Sequence, residues 1–140
     1  MAYLFDFNYS NPTQIVFGTH SFARLGELIP PEARALLLYG GGSIKRNGVY
    51  EQVTQALAGR QIVEFAGVEP NPTLETLEQA VALVREQGVD FILGVGGGSV
   101  SDGAKFVACA ALYDGDGWDI VSGKDAPRQA LPVGIVLTLP

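Results

Sequence analysis

The sequence predicts an α/β fold in which a parallel sheet carries helices on both faces. Segments with the apolar composition of strands alternate along the chain with segments of helical periodicity. Most of the strand segments are continuously apolar, which is typical of strands buried on both faces of a parallel sheet. Glycine-rich turns follow two of these strands directly. Together these features indicate repeated strand–turn–helix units.

A pair of antiparallel strands is expected to precede the sheet. Residues 3–9 place aromatic side chains at every second position, which indicates a strand with one aromatic face. Asn11-Pro12 favours a turn, and residues 14–17 are predicted to form the second strand of the pair. A short helix over residues 22–29 should end before Pro30-Pro31.

The first unit of the sheet begins with an apolar strand at residues 35–39, followed at once by the turn Gly40-Gly41-Gly42-Ser43. Apolar residues at helical spacing then predict a helix over residues 50–58. Residues 62–65 are the next predicted strand. These elements form one strand–helix–strand crossover.

The next crossover passes through a proline-rich loop at residues 67–73 and a helix with an apolar stripe at residues 74–87. Nearer the C-terminus, residues 113–129 are polar and rich in glycine and aspartate, which predicts an irregular excursion. The last predicted strand covers residues 133–138.

The stretch from Phe91 to Asp102 carries the strongest functional signal. A buried strand runs into three glycines and Ser99, and a helix follows. This arrangement presents backbone N–H groups and the positive end of a helix dipole to an anion such as a phosphate. The dinucleotide fingerprint requires glycine at positions 94, 96 and 99, and position 99 is serine. A tight turn with no ligand is therefore the alternative.

The topology favours a binding site over a simple turn. In a parallel α/β sheet, ligands bind beyond the carboxyl ends of the strands. Gly40–Ser43, Gly94–Asp102 and Thr138 all follow strands, and the Pro70-Asn71-Pro72 loop joins the same edge. We therefore expect these segments to converge.

Composition narrows the functional class. Hydrophobic residues make up 47% of the 140 residues and charged residues 17%, which fits one domain over residues 1–140 with a substantial core. The net charge of −6 argues against nucleic acid or an anionic membrane surface as a partner. A single cysteine and the lack of a signal peptide or membrane span favour a cytoplasmic location. Because the chain ends as a strand runs out, we expect a fragment truncated after Pro140.

Several motifs, in order, resemble the iron-containing alcohol dehydrogenase family, and most closely its NADPH-dependent aldehyde reductase and butanol dehydrogenase branch. They are Asn11-Pro12-Thr13-x-Ile15-x-Phe17-Gly18, Tyr39-Gly40-Gly41-Gly42-Ser43-Ile44-Lys45, Pro70-Asn71-Pro72 and Gly96-Gly97-Gly98-Ser99-x-x-Asp102-x-x-Lys105. The resemblance extends over essentially the whole chain. It implies a Rossmann-like cofactor-binding domain.

The resemblance also implies an activity. The parent enzyme would transfer hydride between NADP(H) and a primary alcohol or aldehyde, with a divalent metal, iron or zinc, polarising the substrate oxygen. The family's metal ligands lie in a second, all-helical domain that this chain lacks, and His20 matches none of them. The alternative is a nucleotide-binding module without catalysis. Family members form dimers through their N-terminal strands, so a homodimer is expected.

Residue by residue, the family's pyrophosphate clamp corresponds to Gly97, Gly98 and Ser99. Asp102 corresponds to a position near the nicotinamide, Asn71 to a loop asparagine at the cofactor, and Thr138 and Leu139 to the start of a threonine-rich segment. The expected cofactor-binding residues are Gly40, Gly41, Gly42, Ser43, Lys45, Asn71, Gly96, Gly97, Gly98, Ser99, Asp102, Thr138 and Leu139.

Preference for NADP(H) is predicted at the first glycine turn. Gly40 stands where NAD-using relatives carry aspartate, and no carboxylate occurs between Gly40 and Tyr50 to repel a 2′-phosphate. Lys45 supplies a positive charge there, although an ordinary solvated lysine is an equal alternative. Elsewhere, Cys109 is expected in a helix core, and the aspartates of residues 114–119 in a solvated loop.

Overall fold

The computed structural model describes residues 6–138 and confirms the α/β prediction. Four strands form one parallel sheet in the order β2-β1-β3-β4. The strands are β1 (Arg34–Tyr39), β2 (Gln61–Phe65), β3 (Phe91–Gly96) and β4 (Val133–Leu137). The two central strands, β1 and β3, are the most continuously apolar, since each is covered on both faces.

Six α-helices lie within residues 6–138, five of them after β1. They are α1 (Leu25–Leu28), which follows a 3-10 turn at Ser21–Arg24, α2 (Ser43–Arg46), α3 (Val49–Ala56), α4 (Leu74–Gln87), α5 (Gly98–Ala110) and α6 (Gly117–Val121). The predicted helix over 50–58 begins one residue early, after a break at Gly48, whose φ of 81° is left-handed. Helix α6 lies within the stretch predicted as irregular, where the Asp116 side chain accepts from the Trp118 N–H and caps it.

The helices cover the two faces of the sheet separately. On one face, β1 and β3 contribute Leu36, Leu38 and Ile92, which pack against α4 and α5. On the other face they contribute Leu37 and Leu93, which pack with residues of α2 and α3. Because neighbouring residues of a strand point to opposite faces, one apolar strand supplies both cores. Among residues 6–138, no helix has the length and apolarity needed to cross a bilayer.

The expected antiparallel strand pair is wrong for the residues that the structure describes. Residues 6–17 form no strand, and Phe7, Tyr9, Ile15 and Phe17 are 85%, 74%, 84% and 100% exposed. A two-stranded hairpin is marginal in water without a third strand or a packing surface, and no element in the described part of the chain covers this segment. Residues 3–5 of the predicted first strand lie outside the described residues.

Candidate cofactor site

The carboxyl ends of three strands meet at one edge of the sheet, as the sequence predicts. In the parallel register Tyr39 of β1 lies opposite Val95 of β3, and Gly96 lies opposite Leu137 of β4. The Thr138 N–H extends the ladder by donating to the Gly96 carbonyl at 2.9 Å. The turns that follow β1 and β3 therefore stand side by side.

The three glycines at the junction of β3 and α5 differ in what they require. A Cβ on Gly96 would lie 2.7 Å from Cγ2 of Val100, closer than packed carbon atoms approach. A Cβ on Gly98 would meet no atom within 4 Å. Gly97 is the N-cap of α5, and no side chain caps that helix end. The missing side chain at Gly96 thus allows β3 to pack closely against Val100 of α5, whereas the missing side chain at Gly98 leaves open space at the N-terminus of α5.

This open space has the properties of a phosphate cradle. The first N–H groups of a helix have no partner within the helix, and those of α5 face the edge where the strands end. Helix α5 is 13 residues long, so its dipole adds a positive potential at the same place. The residues fit a pyrophosphate, and a side chain at position 98 would fill the space it needs.

The proline-rich loop joins the cradle through one hydrogen bond. The Asn71 N–H donates to Oγ of Ser99 at 3.2 Å, and Asn71 has a left-handed φ of 52°. Glu69 holds this loop, because its Oε1 accepts from the Thr73 N–H at 2.8 Å and from the Thr76 hydroxyl at 3.0 Å. These bonds, chiefly the one from the Thr73 N–H, lower the pKa of Glu69 to about 2. The Ser99 hydroxyl keeps its proton available for a phosphate oxygen.

The first glycine turn is held close to a neighbouring segment. The Gly67 N–H donates to the Gly40 carbonyl at 3.1 Å, and the Val68 N–H donates to the Tyr39 carbonyl at 3.2 Å. A Cβ on Gly40 would lie 3.0 Å from the Val68 carbonyl oxygen, whereas one on Gly41 would meet nothing within 4 Å. Gly42 has a left-handed φ of 99°. Gly41 is therefore the position where a side chain fits without disturbing the turn.

Lys45 lies beside this turn against two aromatic rings. Its Nζ is 4.8 Å from the centroid of the Tyr50 ring and 5.6 Å from that of Tyr39. The side chain of Glu64 completes the cluster by accepting hydrogen bonds from both tyrosine hydroxyls. Sequence reasoning missed Glu64, since it comes from the neighbouring strand β2. The signal was a single acidic residue among the apolar residues of the predicted strand at 62–65.

The remaining predicted residues are only partly brought together. Asp102 is on the first turns of α5 with its side chain 77% exposed, 3.7 Å from the ammonium group of Lys105. Thr138 lies at the sheet edge beside Gly96. Leu139 lies outside the described residues. His20 precedes the 3-10 turn without a side-chain capping bond, and burial raises the pKa of the Cys109 thiol.

A metal site is a separate matter. Among residues 6–138 no three side chains of the His, Cys, Asp and Glu types are grouped so that they could hold a metal ion. The aspartates near α6 form local bonds instead, with Asp125 accepting from the Tyr113 hydroxyl at 2.9 Å. The described residues therefore do not fit a metal cofactor, and no metal-dependent step follows from them.

The family model for iron-containing alcohol dehydrogenases matches residues 12–140. The chain belongs to the iron-containing alcohol dehydrogenase family. Among curated relatives, it is 54% identical over 138 residues to the NADPH-dependent aldehyde reductase YqhD of Escherichia coli, covering 96% of this chain and 36% of that protein. It is 53% identical over 137 residues to a probable NADH-dependent butanol dehydrogenase of Bacillus subtilis, covering 96% and 35%.

Solved structures agree with the family. The crystal structure of Escherichia coli YqhD superposes with a TM-score of 0.92 at 54% identity, covering 96% of this chain and 35% of that one. A butanol dehydrogenase of Thermotoga maritima gives a TM-score of 0.90 at 49% identity, with the same two coverages. The chain thus spans about a third of the length of these relatives. They are alcohol dehydrogenases and aldehyde reductases, and their names divide between NADH and NADPH.

Proposed function

We propose that this chain is the NADP(H)-binding domain of a metal-dependent alcohol dehydrogenase or aldehyde reductase. The observation that carries the proposal is the open, uncapped N-terminus of α5 at the edge where β1, β3 and β4 end. Family membership supplies the reaction class. The substrate is a primary alcohol or aldehyde, and the divalent metal, iron or zinc, belongs to the whole enzyme.

The role of this chain is to bind and orient the cofactor, which itself supplies the hydride when bound. The N–H groups at the start of α5 and the Ser99 hydroxyl hold the pyrophosphate. The Asn71 loop closes one side of the cradle through its bond to Ser99. Fixing the pyrophosphate sets the direction in which the nicotinamide extends, and Asp102 lies along α5 on the exposed side.

The preference for NADP(H) is proposed from the charges beside the first glycine turn. Lys45 comes two residues after Ser43 and carries its ammonium group over the Tyr39 ring at the end of β1, and a charge-assisted contact to phosphate contributes about 1.5–3 kcal/mol. The Glu64 carboxylate opposes this effect, but it accepts hydrogen bonds from two tyrosine hydroxyls. The Lys45 contact alone corresponds to about one to two decades in affinity, and we expect the net preference to be for a 2′-phosphate.

Assembly and location follow as parts of the same proposal. The exposed aromatic and β-branched side chains of residues 6–17 form an apolar surface that a second copy of the chain would cover, giving a homodimer. The single cysteine agrees with a cytoplasmic protein.

Isothermal titration calorimetry with NADPH tests the binding function. Gly98→Val should abolish binding because its side chain fills the open space, and circular dichroism should show an unchanged fold. Leu112→Ser, an exposed apolar position 46% accessible outside the proposed site, is the matched control and should bind normally. Equal NADPH affinity in wild type and Gly98→Val would disprove the cradle. Because the described residues form no metal site, the 140-residue chain should not oxidise NADPH with butyraldehyde and added iron or zinc, and turnover by it would contradict the assignment of the metal to the whole enzyme.

A further inference from the structure

We propose that Tyr50 is a positioning residue for cofactor selection: it holds the Lys45 ammonium group beside the Gly40–Ser43 turn, where that group distinguishes a 2′-phosphorylated adenosine from a 2′-hydroxyl one. This inference rests on the proposed function and assigns its specificity to a cluster on four elements. The cluster consists of Tyr39 at the end of β1, Lys45 on α2, Tyr50 on α3 and Glu64 on β2.

The aromatic pair restricts an otherwise flexible lysine. Lys45 is exposed, and its four-carbon stem gives it many rotamers in water. The ring centroids of Tyr39 and Tyr50 are 5.9 Å apart with planes inclined by 62°, and both lie within 6 Å of Lys45 Nζ. A cation within about 6 Å of a ring centroid is attracted by the electron-rich face. The rings therefore keep the ammonium group over Tyr39, the residue that directly precedes the turn, and less conformational entropy is lost when a phosphate binds there.

Glu64 orients the rings and is itself occupied by them. Its two carboxylate oxygens accept from two different donors, Oε2 from the Tyr39 hydroxyl at 3.0 Å and Oε1 from the Tyr50 hydroxyl. These bonds fix the Tyr50 ring from its far end. Within residues 6–138, Lys45 forms no ion pair with a carboxylate at 4.0 Å or less. Tyrosine hydroxyls, rather than the lysine, thus supply the hydrogen bonds that the Glu64 carboxylate accepts.

The consequence is a separation of charges across the tyrosine rings. The carboxylate lies at the hydroxyl ends, and the ammonium group lies over the faces. A phosphate approaching the Gly40–Ser43 turn meets the cation first. Without the Tyr50 ring, Lys45 would return to solvent or pair with Glu64, and in both cases less positive charge would remain at the turn.

The experiment compares two probes that differ only at the ribose 2′ position. Calorimetry measures the dissociation constants of adenosine 2′,5′-bisphosphate and adenosine 5′-monophosphate for the 140-residue chain. The ratio of the two constants is the readout, because a general loss of structure would weaken both probes together. The variants are Lys45→Met, Tyr50→Leu, Tyr50→Phe and the double variant Lys45→Met with Tyr50→Leu. Tyr50→Met, which fills similar space without an aromatic face, repeats the test if the leucine variant does not fold.

The expected results are specific. Tyr50→Leu lowers the preference for the bisphosphate about twofold to fivefold, the size of an exposed cation–π contact, and leaves the monophosphate affinity unchanged. Tyr50→Phe keeps the ring but frees Oε1 of Glu64, so it should lose less of the preference than Tyr50→Leu does. In the Lys45→Met background, Tyr50→Leu has no further effect. Tyr113→Leu is the matched control, since it removes another tyrosine whose hydroxyl bonds a carboxylate, that of Asp125, and it should leave the ratio unchanged.

Two outcomes separate this inference from the function beneath it. If Lys45→Met abolishes the preference while Tyr50→Leu and Tyr50→Met leave it intact, the positioning role of Tyr50 is overturned and the proposed NADP(H) preference stands. If the wild-type chain binds both probes equally, or binds neither, the proposed function is overturned together with this inference.

Discussion

Gly96 and Gly98 are two residues apart, yet an alanine at each should have opposite effects. At Gly96 the added Cβ would lie 2.7 Å from Val100 Cγ2 and 3.0 Å from Val100 Cβ, with φ at 159°. Overpacking of this kind costs about 1–3 kcal/mol, and a backbone region that side chains rarely adopt adds a cost of similar size. At Gly98, the first residue of α5, the added Cβ meets open space. Alanine there should stabilise the helix by about 0.5–1 kcal/mol.

Thermal unfolding and NADPH titration separate the two effects. For a chain of this size, about 1 kcal/mol corresponds to roughly 3 °C in Tm, so Gly96→Ala should lower the Tm by about 6 °C or more. Adding Val100→Ala to Gly96→Ala should recover part of that loss, because it removes the nearest colliding atom. Gly98→Ala should keep or raise the Tm while weakening NADPH binding. A Gly96→Ala protein with the wild-type Tm, or a Gly98→Ala protein with wild-type affinity, would refute this division of roles.

Three further predictions concern charge and assembly. Gly41→Asp should shift the preference from NADPH toward NADH by about one decade, since its Cβ meets nothing within 4 Å; unchanged affinities for both cofactors would count against a 2′ site at this turn. The hydrogen bond to the Glu64 carboxylate is the main cause that raises the pKa of Tyr50 to about 12, so its contribution to stability is complete below pH 10.0 and is lost as the pH rises through 12. In Glu64→Gln, an NMR titration should find the Tyr50 midpoint closer to the ordinary tyrosine value of 10.0, and an unchanged midpoint would contradict the assigned bond. Phe17→Ser should shift sedimentation toward monomer while Leu112→Ser does not, and a wild type that is monomeric at high concentration would rule out the dimer.

The sheet was predictable because its signals are local. The continuous apolar run of β3 and the glycines after it determine both the strand and its exit, and the same pattern recurs at β1. The carboxyl-edge rule for parallel sheets then placed the two turns together, as the register confirms. Asn71 was expected at this edge, and its bond to Ser99 joins the loop to the cradle.

Other features depend on contacts that a linear pattern does not contain. The strand pair predicted before residue 18 has the right alternation, but residues 6–17 gain no third strand or packing surface within the described chain. Glu64 is 25 positions from Tyr39 along the chain, and only the pairing of β1 with β2 brings the two side chains together. For the same reason, the sequence neighbours of the first glycine turn contain no carboxylate, although Glu64 approaches it in the fold.

The family resemblance implies aspartate in place of Gly40 in members that use NAD, but Gly40→Asp would not test the effect of charge alone. A Cβ there approaches the Val68 carbonyl oxygen at 3.0 Å, so the turn has to move before any charge acts. The side chain of Gly41→Asp enters open space at the same turn. Gly41→Asp therefore replaces Gly40→Asp as the test of whether a carboxylate at this turn disfavours NADPH.

Calorimetric titration of the 140-residue chain with NADPH and with NADH is the most direct test of the central claim, that the α5 cradle binds a dinucleotide. We expect saturable binding of one NADPH per chain, tighter than NADH by about one to two decades, and no binding to Gly98→Val. Saturable binding of neither cofactor, or equal NADPH binding in wild type and Gly98→Val, would contradict the account.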